Sequence, residues 1–262
     1  MHEKLTRGEL KTMVLDNLRQ NPRTSVENLI QFGIERPLGR SLLNDESQMV
    51  LEMLHELSNA NIIMHGADRA NNKWPWFGVT AYGHDVLSRS GPPLYDYDGY
   101  MAAVAAKVPN IDPTVEHFLS ESLRAFQATL YSAAMTMLGI ASERAIILLI
   151  ESYTDAISDD VNRDKFRLRI SGRDISAAYG RFRESFNSTR GQIADDTLPR
   201  EFDVHVDGVF TFVRLLRNSV AHPGSVPDLS NAIVYANLQQ FVYYIGAIFG
   251  LVRYFQGNKI TV

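Results

Sequence analysis

A turn-forming stretch near residue 95 prevents this sequence from folding around one uninterrupted set of helices. Residues 88–99 read Ser-Arg-Ser-Gly-Pro-Pro-Leu-Tyr-Asp-Tyr-Asp-Gly, and the adjacent prolines stop a helix or a strand from running through them. We therefore predict a first domain over residues 1–90, a linker with a short helix over residues 91–110, and a second domain over residues 111–262. A chain of 262 residues is long enough for two such domains.

Three helices are predicted in the first domain. Apolar residues at helical spacing predict a helix over residues 7–20. Thr24–Glu27 has the Thr-x-x-Glu pattern of a capping box, so we expect a short second helix that ends near Gly33. A loop is predicted over residues 34–46, and a third helix over residues 46–59.

A two-stranded hairpin is predicted after these helices. Ile62–Met64 and Trp76–Thr80 are short runs typical of strands, with a polar turn between them. Three helices and a hairpin in this order resemble a winged helix. The Thr-x-x-Gly pattern at Thr80–Gly83 also resembles the helix start that follows the wing in such proteins. The resemblance covers roughly the first third of the chain.

The charge of this domain does not decide whether its partner is DNA or a protein. Residues 1–90 contain ten Lys or Arg and eleven Asp or Glu. The third helix carries Glu52, His55 and Glu56 but no Lys or Arg, whereas helices that read a DNA groove need basic or amide groups. A protein partner is therefore at least as good an interpretation as DNA. A contact with DNA through the possible wing remains an alternative, and the residues that would make it are Arg69, Asn71, Asn72 and Lys73.

The second domain is predicted to be all helical. Helices are expected from Pro113, with Asp112 as the N-cap, and over residues 131–153, 174–190, 200–221 and 230–254. Five helices with short connections imply a helical bundle. The fold class is therefore mainly α, with a winged-helix-like domain followed by a bundle.

Composition and hydropathy narrow the class of protein. The most apolar run, Phe241–Val252, has twelve residues, too few to span a bilayer, so we expect a buried core helix, no membrane contact and a cytoplasmic protein. The chain has no cysteine, which excludes disulfides and thiol nucleophiles. Its net charge of −4 does not attract nucleic acid as a whole, so any such contact has to come from a local patch. We predict neither a cofactor nor a metal site.

The residues that best suit catalysis lie at the end of the predicted helix 200–221. Arg217-Asn218-x3-His222 is followed by a Pro-Gly pair that stops a helix. An imidazole can take the proton of a ribose 2′-hydroxyl or protonate the leaving oxygen. A guanidinium can hold the phosphate with paired hydrogen bonds, and Asn218 could orient either group. These side chains suit RNA cleavage that requires no metal.

This motif resembles the Arg-x4-6-His motif of HEPN domains, in which a polar residue often follows the arginine. The likeness extends over roughly residues 110–256, where apolar helices fit the helical bundle of that family. The resemblance implies a metal-independent endoribonuclease with catalytic residues Arg217, Asn218 and His222. Because the chain has one copy of the motif, it also implies a homodimer. Many members act in antiphage defence or toxin–antitoxin systems, and others only bind RNA, nucleotides or protein partners.

Structural interpretations of the same residues remain open. His222 near a helix C-terminus would interact favourably with the helix dipole, and Arg217 could be a surface residue. Glu143 stands in an apolar stretch, where it would support the motif by reaching Arg217 or would form a local surface pair with Arg144.

Residues 161–200 form a basic segment in an acidic chain. They contain nine Lys or Arg and five Asp or Glu, an excess of 9 − 5 = +4, with aromatic residues interleaved. Such a segment could bind the backbone of single-stranded RNA, or it could be a solvated helix face. The residues proposed for RNA binding are Arg167, Arg169, Arg173, Arg181 and Arg183.

A second function belongs to a different class. The chain could be a non-catalytic regulatory protein whose winged helix binds nucleic acid or a protein. Its helical domain would then serve dimerisation or ligand sensing.

Overall fold

The computed structural model describes residues 4–88, 97–211, 213–214 and 229–262. These residues are mainly helical and include one small antiparallel sheet, which confirms the mainly α class. The chain divides into two compact units, Met1–Tyr100 and Met101–Val262.

The first unit contains helices, a π-helix and three short strands. In chain order the elements are α1 Arg7–Gln20, β1 Arg23–Ser25, α2 Val26–Asn28, the π-helix Leu29–Glu35, α3 Arg36–Leu38, α4 Asn44–Asn59, β2 Ile63–His65, β3 Trp76–Val79 and α5 Ala81–Ser88. Helices α1 and α4 pack against each other. Their apolar faces, including Leu10, Val14, Val50 and Leu54, are fully buried with Phe77 of β3. The helical spacing that predicted α1 and α4 is therefore the spacing of core residues.

The predicted two-stranded hairpin is part of a three-stranded sheet. Strand β3 pairs with β2, as predicted, and its other edge pairs with β1, giving the order β1-β3-β2. The expectation of a capping box at Thr24 is wrong, because Thr24 lies in β1 opposite Phe77. Ser25 is the N-cap instead, and its hydroxyl accepts from the Asn28 amide at 3.2 Å. Three residues are too few to produce a readable strand pattern.

The helix that follows β1 does not end at Gly33. It continues through the π-helix and α3 to Leu38 and stops at Gly39, whose φ of 67° is left-handed. The predicted loop therefore begins five residues later than expected. Gly33 serves close packing rather than termination, because a Cβ atom there would lie 2.5 Å from the Asn17 side-chain nitrogen.

The Thr-x-x-Gly pattern begins α5. The Thr80 hydroxyl donates to the Asn61 carbonyl at 2.6 Å and accepts from the Gly83 amide at 2.8 Å. A Cβ atom on Gly83 would lie 2.0 Å from the Ile62 carbonyl oxygen. The threonine therefore caps the helix, and the glycine lets the helix approach the chain that enters β2.

The second unit is built from helices. Those described are α6 Tyr97–Lys107, which begins in the first unit, α7 Pro113–Gln127, α8 Tyr131–Ala156, α9 Asp160–Ile170, α10 Ile175–Thr189, α11 Thr197–His205 and α12 Asn231–Gly257, with a 3-10 turn at Arg190–Gln192. Asp112 caps α7 with two hydrogen bonds, as predicted. Helix α9 was not predicted, because Phe166 is its single buried residue and the apolar spacing is weak. The helix predicted over 200–221 is interrupted at Val206, and residues 207–211 are helical again.

Helix α8 lies in the core of the second unit, against α7 and α12. The Tyr153 ring meets Phe166, Phe182 and Phe255 edge-on at 5.2–5.5 Å between ring centroids. Earlier in α8, the Ser142 hydroxyl lies 2.6 Å from that of Tyr244 on α12. These two buried hydroxyls therefore satisfy each other inside the core.

Helices α8 and α12 are long and apolar enough to cross a membrane by length and composition alone. The predicted run Phe241–Val252 thus belongs to a helix of 27 residues. The twelve-residue length of the run therefore does not exclude a helix that spans a membrane. In each helix 56% of the most apolar window is buried. That burial favours the predicted role of core helices.

Candidate functional site

The predicted catalytic residues Arg217, Asn218 and His222 lie outside the described residues. The helical segment 207–211 ends six residues before Arg217, and the described residues 213–214 between them are also helical. The contacts of segment 207–211 therefore show how the chain is held shortly before the motif.

Asp207 joins this segment to α10. The Tyr179 hydroxyl donates a hydrogen bond to the Asp207 carboxylate, and Arg183 forms an ion pair with the same carboxylate at 2.6 Å. Burial, reinforced by the hydrogen bond to Asp207, raises the pKa of Tyr179 far above its usual value. The hydroxyl therefore stays protonated and acts as a donor.

Asp203 forms a second contact between α11 and α10. It pairs with Arg190 at 2.6 Å and with Arg183 at 3.4 Å. Partial burial acts to raise the pKa of Asp203, but the hydrogen bond and charge of Arg190, aided by Arg183, bring it below its usual value. Asp203 is therefore a carboxylate at neutral pH.

Aromatic rings surround this polar network. The Tyr179 ring lies 4.7 Å from that of Phe210, and the Arg183 guanidinium lies 4.9 Å above the Phe202 ring. Rings and ion pairs together fix segment 207–211 against α10. Sequence reasoning missed Tyr179 and Asp207, since residues 28 positions apart carry no local spacing signal.

Four of the five arginines proposed for RNA binding are paired with carboxylates. Arg167 pairs with Asp155 and Asp164, Arg169 and Arg181 both pair with Glu184, and Arg183 pairs with Asp203 and Asp207. Three of these acids, at positions 155, 203 and 207, lie outside the segment 161–200. The excess of +4 therefore overstates the charge of the folded surface.

Arg173 differs from the other four arginines. Its side chain donates to the Arg169 carbonyl at 2.6 Å. Its residue is exposed, as are Lys165 and Leu168 on α9, and Leu168 is 77% exposed. The exposed residues of α9 therefore include Lys165 and the apolar Leu168, and Arg173 lies three residues beyond the end of the helix.

Glu143 lies half-buried on α8, next to the Ser142–Tyr244 contact. Its predicted contact with Arg217 falls outside the described residues. The neighbouring Arg144 donates to Asp112 at 3.2 Å and so links α8 to the capped start of α7. The Glu143 charge also acts on Tyr244, whose pKa is raised mainly by burial.

The possible wing is the connection between β2 and β3. Asp68 organises it by accepting from the Ala70 and Asn71 amides at 2.8 and 2.9 Å and from the Asn71 side chain. Asn71 therefore holds the turn, while Arg69 and Lys73 are exposed. Trp74, 41% exposed, stacks on Phe77 with 6.2 Å between ring centroids.

Arg7 of α1 covers part of the outward face of α4. It pairs with Glu52 at 3.3 Å and with Glu56 at 2.5 Å. Leu51, on the same face, is 39% exposed. The face is thus an acidic surface with an exposed apolar residue and one basic side chain at its edge.

Comparisons with family models, with curated proteins and with solved structures gave no match. In the described part of the chain, no three His, Asp or Glu residues are grouped so that they could hold a metal ion.

Proposed function

We propose that the chain is an endoribonuclease of HEPN type. The carrying observation is that the Arg217-Asn218-x3-His222 motif begins six residues after segment 207–211, which Asp207 fixes to α10. A catalytic group needs firm support, because displacing it by about 1 Å can lower the rate of the reaction about a hundredfold. The helical bundle of the second unit is compatible with the proposed HEPN architecture.

Each motif residue has a role in this proposal. His222 exchanges the proton of the ribose 2′-hydroxyl or of the leaving oxygen. Arg217 holds the phosphate and stabilises the charge that develops on it. Asn218 orients either His222 or Arg217, and Glu143 supports Arg217. The reaction needs no metal, because the imidazole and guanidinium supply proton transfer and charge stabilisation.

The proposal includes a cytoplasmic homodimer in which two motifs face one RNA strand. With one motif per chain, a second copy supplies the second set of groups. A role in antiphage defence or a toxin system follows from the family resemblance. RNA would reach the site past Arg173 and the exposed side of α9, which carries Lys165 and Leu168.

The first unit is proposed to be a winged helix. Its order of helix, strand, helices and hairpin supports this assignment, as does the Thr80–Gly83 start of α5. Arg69 and Lys73 are exposed on the possible wing.

Cleavage of a mixed RNA pool in EDTA tests the ribonuclease. Purified parent protein is expected to leave 2′,3′-cyclic phosphate ends, and Arg217→Ala and His222→Ala are expected to be inactive. Matched controls are Arg200→Ala, an exposed arginine on α11, and His205→Ala at the end of that helix. Cleavage by both motif variants at the parental rate would eliminate the assignment.

A non-catalytic regulator is the second candidate, favoured by the acidic face of α4. Glu52 and Glu56 there are unsuited to DNA phosphates but suited to a basic protein surface. If the wing binds DNA instead, duplex binding at low salt should be lost in an Arg69→Ala, Lys73→Ala double variant. Absence of binding at low salt would leave a protein as the partner of this unit.

A further inference from the structure

Residues 258–262, which we call the strap, follow α12 and run along the junction between α8 and α9. Two backbone hydrogen bonds hold Ile260 there. Its amide donates to the Ala156 carbonyl, and its carbonyl accepts from the Ser158 amide, each at 2.9 Å. The two bonds form a short parallel β-bridge with Ile157. The strap therefore satisfies a carbonyl that the end of α8 leaves unpaired.

Gln192, in the 3-10 turn after α10, holds the next residue of the strap. Its side-chain nitrogen donates to the Thr261 carbonyl at 2.7 Å, and its side-chain oxygen accepts from the Thr261 backbone amide at 2.9 Å. Asn162 of α9 donates to the Val262 carbonyl at 3.0 Å. These contacts all use the backbone of the strap. The strap therefore joins the end of α8, the start of α9 and the 3-10 turn.

One side chain anchors the strap. Ile260 is 2% exposed, whereas the other four residues of the strap are exposed. The hydrogen bonds from Gln192 and Asn162 also lie at the exposed surface. A segment with one buried side chain and solvent-exposed hydrogen bonds opens at a lower free energy than the helices of a core. We therefore expect the strap to open while α8 and α12 remain folded.

The start of α9 depends on the same junction. Phe166 is the single buried residue of α9, and its ring meets that of Tyr153 at 5.5 Å between centroids. Asn162 bonds to the strap, and the Arg163 guanidinium donates to the Ile157 carbonyl at 3.3 Å. Because the strap pairs with the chain at Ile157, its opening should loosen the start of α9.

Docking of α9 neutralises part of its positive charge. Residues 160–173 contain five Lys or Arg and two Asp, an excess of 5 − 2 = +3. Arg167 pairs with Asp155 of α8 at 2.7 Å, and Arg169 pairs with Glu184 of α10 at 3.4 Å. Both pairs are exposed, and exposed pairs contribute little to stability. Undocking of α9 would separate these pairs and leave a cationic segment.

We propose that the strap is a conformational device that controls the docking of α9. With the strap closed, α9 lies against α8 and α10, and two of its arginines are paired with carboxylates of those helices. With the strap open, α9 is released as a cationic segment that binds the phosphates of single-stranded RNA. The device concerns docking and binding, so it holds whether or not the chain cleaves RNA.

Hydrogen exchange of the full chain, read by mass spectrometry, tests the control of α9. Ile260→Asp places a charge at the buried anchor and should open the strap. Peptides covering α9 should then exchange at least about tenfold faster than in the parent, while peptides from the middle of α8 and α12 are unchanged. Val262→Asp adds the same charge at an exposed residue of the strap. It is the matched control and should exchange as the parent does.

Gln192→Ala is a second variant that leaves the buried anchor in place. It removes both hydrogen bonds to Thr261, so α9 should exchange faster than in the parent but more slowly than in Ile260→Asp. This selective acceleration supports the proposal even if Ile260→Asp destabilises the whole unit. Parental exchange of α9 in both variants would overturn the role of the strap. So would an acceleration that spreads through α8 and α12 in both.

Binding of a labelled 2′-O-methyl oligouridine at low salt tests the released charge. This probe lacks the free 2′-hydroxyl needed for cleavage, so fluorescence anisotropy reports on binding alone. Ile260→Asp should bind it at least about threefold more tightly than Val262→Asp, which carries the same added charge. The gain should disappear when Arg167 and Arg169 are also changed to Ala. Equal or weaker binding by Ile260→Asp would overturn the release of a cationic segment.

Discussion

Arg40 donates hydrogen bonds to both carboxylate oxygens of Glu46, each at 2.7 Å. The same carboxylate accepts from the backbone amides of Leu5 and Leu43, each at 2.8 Å. Glu46 is fully buried in the first turn of α4. One charged side chain therefore fixes the chain before α1, the loop after Gly39 and the start of α4.

Removal of this carboxylate should destabilise the first unit. Glu46→Ala leaves two amides and the Arg40 guanidinium without their acceptor, and breaking a buried ion pair costs about 3 kcal/mol. Both tryptophans of the chain, Trp74 and Trp76, belong to this unit, so their fluorescence during urea unfolding reports on it. Glu27→Gln, at an exposed carboxylate, is the control and should leave the midpoint unchanged. An unchanged free energy of unfolding in Glu46→Ala would contradict the role assigned to the pair.

Glu46 also makes the stability of this unit depend on pH. Hydrogen bonds from Arg40 are the largest cause that brings the pKa of Glu46 from 4.5 to about 2, against the opposing effect of burial. Because the folded pKa is lowered, the stabilisation is fully present above pH 4.5 and is lost as the pH falls towards 2. The urea midpoint followed by tryptophan fluorescence should therefore decline in this window. A Glu46→Gln variant should decline less steeply, and a slope equal to that of the parent would assign the effect to other carboxylates.

Sequence reasoning succeeded where a pattern repeats over several turns. Helices α1, α4 and α12 follow from apolar spacing, and Asp112 follows from its position before Pro113. It failed at β1 and α9, which are too short or have too few buried residues for a period to be read. The π-helix was not predicted, because a glycine such as Gly33 is typical of the end of a helix. In the structure Gly33 leaves room for the Asn17 side chain.

The candidate sites were harder to predict than the helices. Net charge along a segment suggested a free basic surface, but the acids that pair with Arg167 and Arg183 come from other parts of the chain. Such sites depend on which elements the fold brings together, which spacing along the chain does not specify.

Gly83 should not tolerate a side chain. Gly83→Ala places a Cβ atom 2.0 Å from the Ile62 carbonyl oxygen, so α5 has to move away from the chain entering β2, at a cost of about 1–3 kcal/mol. Gly8→Ala is the matched control, because no atom lies within 4 Å of that Cβ and the position is helical. The control should be neutral or stabilise the unit by up to about 1 kcal/mol. Urea unfolding followed by tryptophan fluorescence measures both, and equal midpoints would show that the close approach at Gly83 is not required.

The Tyr179–Asp207 contact should control both the order of segment 207–211 and RNA cleavage. Asp207→Ala leaves the buried tyrosine hydroxyl without its acceptor, which costs about 1–3 kcal/mol, and removes one carboxylate from Arg183. Amide hydrogen exchange in peptides covering residues 200–211 should accelerate, and the cleavage rate should fall. Tyr179→Phe should have a smaller effect, about 1 kcal/mol, because Asp207 retains Arg183.

The control for this contact is Asp196→Ala, which removes an exposed ion pair with Arg200 of α11. Its exchange and cleavage rates should match those of the parent, because exposed pairs contribute little. If Asp207→Ala accelerates exchange but leaves cleavage unchanged, segment 207–211 does not position the motif. If neither changes, the network between α10 and this segment does not hold the segment in place. Loss of cleavage together with faster exchange would show that the Asp207 carboxylate holds segment 207–211 in place and that RNA cleavage by Arg217 and His222 depends on it.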